Sequence, residues 1–227
     1  MKKIGQMNEL AWIFGNLLCA LGVALSTKAG LGLSMIAAPP FIFNQYLIRF
    51  SAFFTQGTVE YIVQALLLII MCLIIGKFKI KHLFSFLTAF IFGNMVDLML
   101  FLLGGQAVYS TMTVRISMFV LSQVINAFAI AFYFRTDLPL CIYELFVKAV
   151  AERFNIPTDK MKFIYDASML LLSLVSSFIL FGRLVGIGVG TIVITAFNAL
   201  AISTAGKLLD KIFTFEPRFE GFVKKIS

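Results

Sequence analysis

A chain of 227 residues that is 60% hydrophobic and only 13% charged, with 26 phenylalanines, is not an ordinary soluble domain, in which roughly a quarter of residues carry charge. The net charge of +8 does not point to nucleic acid, because the basic residues fall between apolar runs rather than on one patch; the lipid bilayer is the expected partner. A single histidine, three distant cysteines (Cys19, Cys72, Cys141) and the lack of an HExxH, nucleophile-elbow or P-loop pattern exclude a disulfide frame and leave no metal, cofactor or hydrolytic machinery to expect.

Continuous Leu/Ile/Phe runs without period-2 alternation predict helices, and lipid demands that their backbone groups be satisfied internally. Six spans are expected at about 10–27, 58–76, 83–103, 113–134, 163–182 and 187–206, each near the roughly 20 residues a bilayer requires. The first runs past Leu25 without a cleavage signal, so it is expected to be a retained helix. Its Gly15, Cys19, Gly22 and Ser26 make a small-residue stripe suited to close packing. The stretch from Ala29 to Phe50 that follows holds Gly30, Gly32 and the pair Pro39 and Pro40. Proline cannot occupy an ordinary helix interior, so this segment either lies flat in the headgroups or dips into the membrane as a re-entrant element.

Span 2 opens with Glu60 and Gln64 and leads into a basic loop containing Lys77, Lys79, Lys81 and His82. Span 3 carries Asn94 and Asp97 one turn apart. The short outer loop Gly104 to Thr111 leads to span 4, with Arg115 near its start and Ser122, Gln123 and Asn126 further in. The segment from Asp137 to Phe154 is sided: Leu140, Ile142, Leu145, Phe146 and Ala149 oppose Glu144, Lys148 and Glu152. That pattern suits an interfacial helix or a second re-entrant one. Span 5 carries Asp166 near its inner end. Gly182, Gly186 and Gly190 recur at intervals of four, with Gly188 between them; on a helix they would share a face, and in an unwound backbone their amides would suit an anion. Thr191, Thr195 and Asn198 stripe span 6, and residues 209–227 form the tail.

The order of elements occurs twice. Glu60 to Ile69 (EYIVQALLLI) aligns with Lys162 to Leu171 (KFIYDASMLL), placing Gln64 opposite Asp166; one extra helical turn then brings Ser85 and Gly93 opposite Thr191 and Ala199. A duplicated unit with an odd number of spans inserts in opposite senses. The expectation is therefore an all-α integral membrane protein of one domain, with six transmembrane helices as a 3+3 inverted repeat (about 8–105 and 113–208) and two interfacial or re-entrant segments. Only Lys28, Arg49, Arg115 and Arg183 among the basic residues fall on one side, whereas Lys2, Lys3, Arg218, Lys224, Lys225 and the remainder fall on the other. The positive-inside rule then places both termini in the cytoplasm.

An acid in mid-membrane costs roughly 2.5–3.5 kcal/mol on insertion scales, so Glu60, Asp97 and Asp166 each need a partner, a proton or water. Asp97 with Asn94 is the leading candidate for a ligand or proton site, with an Asp97–Arg115 pair as the structural alternative. Glu60 joins it in an outer gate partnered by Lys28 or Arg115. Gln64 would line the outer half of a pathway and Asp166 the inner half, unless Asp166 snorkels to the interface. Asn126, Thr191 and Asn198 would supply hydrogen bonds between them, and Gly30, Gly32, Gly186, Gly188 and Gly190 are backbone or packing devices.

Several short motifs in fixed order resemble the YczE/YitT-like family of bacterial multi-pass inner-membrane proteins, in its YczE branch. They are Gly22 to Ser34 (GVALSTKAGLGLS), Thr55-Gln-Gly57, Asp137-Leu-Pro139, Tyr143-Glu-Leu145 and Gly182 to Thr191 (GRLVGIGVGT). The chain departs from the family's Gly-rich stretch at Pro139-Leu-Cys141 and has Asp166 where a Glu is common. The resemblance implies a bacterial inner-membrane location. The repeats, the two non-spanning segments and the intramembrane polar groups suggest a small-molecule transporter using alternating access, driven by a proton or sodium ion or by facilitated diffusion. Two other readings stay open: an accessory protein supporting a membrane or biosynthetic complex, and a substrate-binding subunit of an energised transporter. A second copy of the chain or a membrane partner fits either.

Overall fold

The computed structural model describes residues 8–215 apart from 79, 137 and 140, and the side chains of Lys81 and Asp159 also lie outside the description. The basic residues expected at either terminus, Lys79, and the Asp137 and Leu140 of the sided segment therefore fall outside it. Among the described residues there are eight helices: α1 (Asn8–Ala29), α2 (Ala38–Leu47), α3 (Gln56–Ile75), α4 (Lys81–Leu102), α5 (Met112–Tyr133), α6 (Ile142–Phe154), α7 (Thr158–Phe181) and α8 (Val189–Ile212). Six of them, all but α2 and α6, are long and apolar enough to cross a membrane.

Local chemistry sets the ends. Thr55 caps α3 by accepting a hydrogen bond from the amide of Thr58 at 3.1 Å, and the helix stops at Gly76 in the left-handed region. α7 ends the same way at Gly182. Pro39 and Pro40 occupy the first turn of α2, where a missing N–H costs no ladder bond.

α1 and α5 form the axis of the bundle. They cross where Gly22 meets Asn126 so closely that a Cβ on Gly22 would overlap the Asn126 side chain. On one side of the crossing Gly15 lies against Tyr133, at 3.4 Å from a virtual Cβ. On the other, Ala29 packs with Phe119. Those two contacts are equally spaced about Gly22 and Asn126 along each helix, as a pseudo-two-fold axis through the crossing requires. The remaining contacts follow the same exchange: α4 rests on α1 as α8 rests on α5, α2 packs on α3 and α7, and α6 packs on α7 and α3.

The exchange fails at two places: α4 also touches α6, with no comparable α8–α2 contact among the described residues, and the larger break lies between α3 and α4. α3 runs along α4, pinned where Gly57 meets Gly93 backbone to backbone. α8 rests on α5 and has no comparable contact with α7 among the described residues. The Gly93 of α4 aligns with Ala199 of α8, so the second half lacks the glycine that permits the approach in the first.

Both short helices start inside the bundle. The amide of Ile142, first residue of α6, donates to Gln64 Oε1 at 3.0 Å. Gln64 is the ninth residue of a 20-residue helix, so this end of α6 lies about 12 Å along a helix about 30 Å long. α6 is accordingly re-entrant and not flat on the headgroups. Ile36, just before α2, packs into the same central cluster of Leu67, Tyr143 and Tyr165, while Tyr46 near the other end of α2 meets Phe181 at the end of α7. α2 is thus the counterpart dipping from the opposite side.

Candidate functional site

The segment ahead of α6 is fixed by three other elements. Pro139 O accepts from Trp12 Nε1 of α1 and from Thr88 Oγ1 of α4, both at 3.0 Å. Tyr133 of α5 donates to Asn16 Oδ1 at 2.6 Å, and its oxygen lies 3.9 Å from Cys141 Sγ. Those bonds hold the first turn of α6 against α3, where Tyr143 donates to Glu60 Oε1 at 2.8 Å. Glu60 is 3% exposed and Gln64 fully buried. One turn apart, the two share a face of α3.

Two polar atoms in this region have no hydrogen-bond partner, Gln64 Nε2 and Tyr165 Oη. The Gln64 orientation is fixed, since only its oxygen can accept from Ile142. Its nitrogen is therefore a donor left bare in a fully buried position, a state that costs about 1–3 kcal/mol. Tyr165 of α7 packs its ring on Phe146 of α6 with centroids 5.4 Å apart. Among the described residues, no Lys, Arg or His forms an ion pair with Glu60. The centre of the bundle thus holds a carboxyl group, aromatic walls and unmet hydrogen-bonding capacity.

Outside this centre lies a belt of side-chain amides. Gln45 Nε2 donates to Gln106 Oε1 at 2.7 Å, and Gln106 Nε2 donates to Asn44 Oδ1 at 3.0 Å. Gln56 Nε2 donates to Thr27 Oγ1 at 3.2 Å. The belt ties α1, α2, α3 and the Gly104–Thr111 loop together on the side where α3 begins. At the opposite end Arg135 forms a bidentate pair with Asp210 of α8, each bond 2.6 Å, and Asp210 holds the guanidinium still more firmly protonated.

Asp97 does not pair with Arg115. Its two oxygens accept from Thr55 Oγ1 and from the Gly57 amide at 2.7 Å, so it caps α3, whose positive dipole end favours a carboxylate. Asn94, one turn earlier, is exposed and donates to Phe90 O. Arg115 instead closes the end of α1, donating to the carbonyls of Ala29 and Gly30. Lys28 is buried, bonded to Gly105 O at 3.1 Å and 4.9 Å over the Tyr109 ring. Neither cation reaches Glu60, and the expected gate pairs are absent among the described residues. Asp166 bonds Lys162 at 2.8 Å in the first turns of α7. Asn126 fills the α1–α5 crossing. Thr191 is buried, while Asn198 is half-buried on α8.

The glycine-rich stretch is not one helix face, because Gly182 and Gly186 adopt positive φ between α7 and α8. Its polar groups are turned inward: Gly186 O accepts from Leu33, and Gly190 N donates to Leu31 O, both at 2.9 Å. A Cβ on Gly32 would lie 2.7 Å from Thr191 Oγ1, and one on Gly188 would lie 2.5 Å from Leu31 O. These glycines let two loops cross, and with Gly30 they serve the backbone. Tyr165 and the amide belt escape the sequence reading, and Tyr143 enters it only within a resemblance motif, with no site role. Tyr143 stands within a sided pattern as one more apolar-face residue, and only the depth of α6 gives its hydroxyl a carboxyl partner.

Residues 7–207 match a family of unknown function, DUF6198, and the chain belongs to that family. No curated protein and no solved structure matches it.

Proposed function

We propose that this DUF6198 member is a small-molecule transporter of the bacterial inner membrane, alternating access about a mid-depth site at Glu60, Gln64, Tyr143 and Tyr165. The observation that carries the reading is the meeting of α6 with α3: a re-entrant helix end, an acid without a cationic partner and an orphaned buried donor at the middle of the bundle. Membrane proteins retain such groups at substrate and ion pathways because lipid makes them costly elsewhere. The amide belt would be the outer gate and the Arg135–Asp210 pair the inner latch. Coupling would come from a proton or sodium ion, or flux would be facilitated diffusion.

The side holding Lys28, Arg115 and Arg183 would face outward, with both termini cytoplasmic. The resemblance to the YczE/YitT-like family supports the inner-membrane location. The test is a thermal-shift screen of the purified protein over amino acids, organic acids, amines, nucleobases and vitamins. Stabilisation by one class, weakened in Glu60→Gln, followed by flux of that class in liposomes, supports transport. A flat response from cooperatively melting protein moves the reading to an accessory role.

A further inference from the structure

The mid-depth site offers three things to a ligand, and their signs agree. The first is the carboxyl group of Glu60. It is 3% exposed, takes one hydrogen bond from Tyr143, and forms no ion pair among the described residues. The second is the state of the two helix ends. A helix N-terminus attracts anions only while its amides are open. Ile142 of α6 is bonded to Gln64, and Glu144 already places an acid in that first turn. In α2, Pro39 and Pro40 have no N–H, while Ala38 and Phe41 donate to Ser34 O and Ala37 O. The ends that commonly hold an anion in such folds are occupied here. The third is the wall. Tyr143, Phe146 and Tyr165 are 5%, 8% and 3% exposed and present aromatic rings, whose faces attract cations.

Building on the transport reading, we propose that this site binds a small protonated amine bearing a hydroxyl or carbonyl group. The ammonium pairs with the Glu60 carboxyl, which its charge holds ionised, and the second group accepts a hydrogen bond from Gln64 Nε2, the buried donor that has no partner within the chain. Gln64 Oε1 stays on Ile142, so the ligand completes the amide without displacing α6. An anion would meet Glu60 with no compensating cation.

The experiment is calorimetric titration of the full chain in nanodiscs of neutral phosphatidylcholine, with ethanolamine as the probe and lactate and glycerol as the anionic and neutral controls. Ethanolamine is expected to bind saturably and the controls not to bind. Affinity should fall about tenfold or more in Glu60→Gln, a change of about 1.4 kcal/mol or more. Glu60→Asp keeps the charge and should retain measurable binding, which guards against a folding defect in Glu60→Gln. Binding of lactate in preference, binding unchanged in Glu60→Gln, or no ethanolamine binding by the wild type would each overturn the assignment. Binding is read without flux. Ethanolamine that binds but is not exchanged across liposomes therefore removes the transport reading alone, whereas flux of an anion removes this one alone.

Discussion

Tyr143 and Glu60 stand 83 positions apart in sequence and 2.8 Å apart in the fold, the hydroxyl of a re-entrant helix donating to the carboxyl of a spanning one. The bond joins the second half of the chain to the first at the middle of the bundle. Removing the hydroxyl leaves a buried carboxyl without its donor, which costs about 1–3 kcal/mol. Tyr143→Phe is expected to lower the melting temperature of the detergent-solubilised protein. The double variant Tyr143→Phe with Glu60→Gln should cost less than the sum of the two single changes, because the pair is coupled. Strict additivity would mean that the bond contributes nothing.

Gly57 and Gly93 set the spacing of α3 and α4. A Cβ on Gly57 overlaps the Gly93 carbonyl, and backbone on both sides leaves no flexible group to yield. Gly57→Ala should cost about 3 kcal/mol or more as the helices are forced apart. Gly104→Ala, whose Cβ meets nothing but whose φ is +81°, should cost only about 1 kcal/mol of backbone strain. Comparing the two melting temperatures checks the claim.

Asp97 is expected to act on stability. Asp97→Ala removes the acceptor for both Thr55 Oγ1 and the Gly57 amide and should cost about 1–2 kcal/mol, the usual worth of a helix cap. Asp97→Asn keeps one acceptor oxygen and should cost less than Asp97→Ala. Equal melting temperatures for the wild type and Asp97→Ala would return Asp97 to the list of ligand groups.

Orientation is open to labelling. Val108, in the loop before α5, is 50% exposed, and Phe154, at the end of α6, is 57% exposed. In intact cells a membrane-impermeant maleimide should modify Val108→Cys and should reach Phe154→Cys only after permeabilisation. Wild-type protein gives the background from Cys19, Cys72 and Cys141. The reverse pattern would invert the topology.

Much of the architecture was legible in the residues. Six spans, the duplication and the irregularity at Pro39 and Pro40 follow from length, hydropathy and proline chemistry, which act locally. What was not legible depends on contacts between distant segments. Asn94 and Asp97 lie one turn apart, yet one is exposed and the other caps α3, because the Gly57–Gly93 approach brings the start of α3 to Asp97 alone. Gly182, Gly186 and Gly190 suit a helix face by spacing, but positive φ at the first two ends α7 instead. The sided pattern of α6 is the same whether it lies flat or dips inward. Trp12 and Thr88 on Pro139 O, and Gln64 on Ile142, set its depth, and no periodicity encodes those bonds.

Alternating access about Glu60 is tested most directly by exchange in liposomes with the outer gate tied shut. Gln45 and Gln106 meet across the amide belt at 2.7 Å, so Gln45→Cys with Gln106→Cys can be bridged by a short, reducible thiol cross-linker. Labelled ethanolamine should exchange with internal unlabelled ethanolamine through the uncross-linked protein, stop after bridging and resume after reduction. Exchange that continues through the bridged protein, or that never occurs in wild-type protein that binds ethanolamine, would contradict the account.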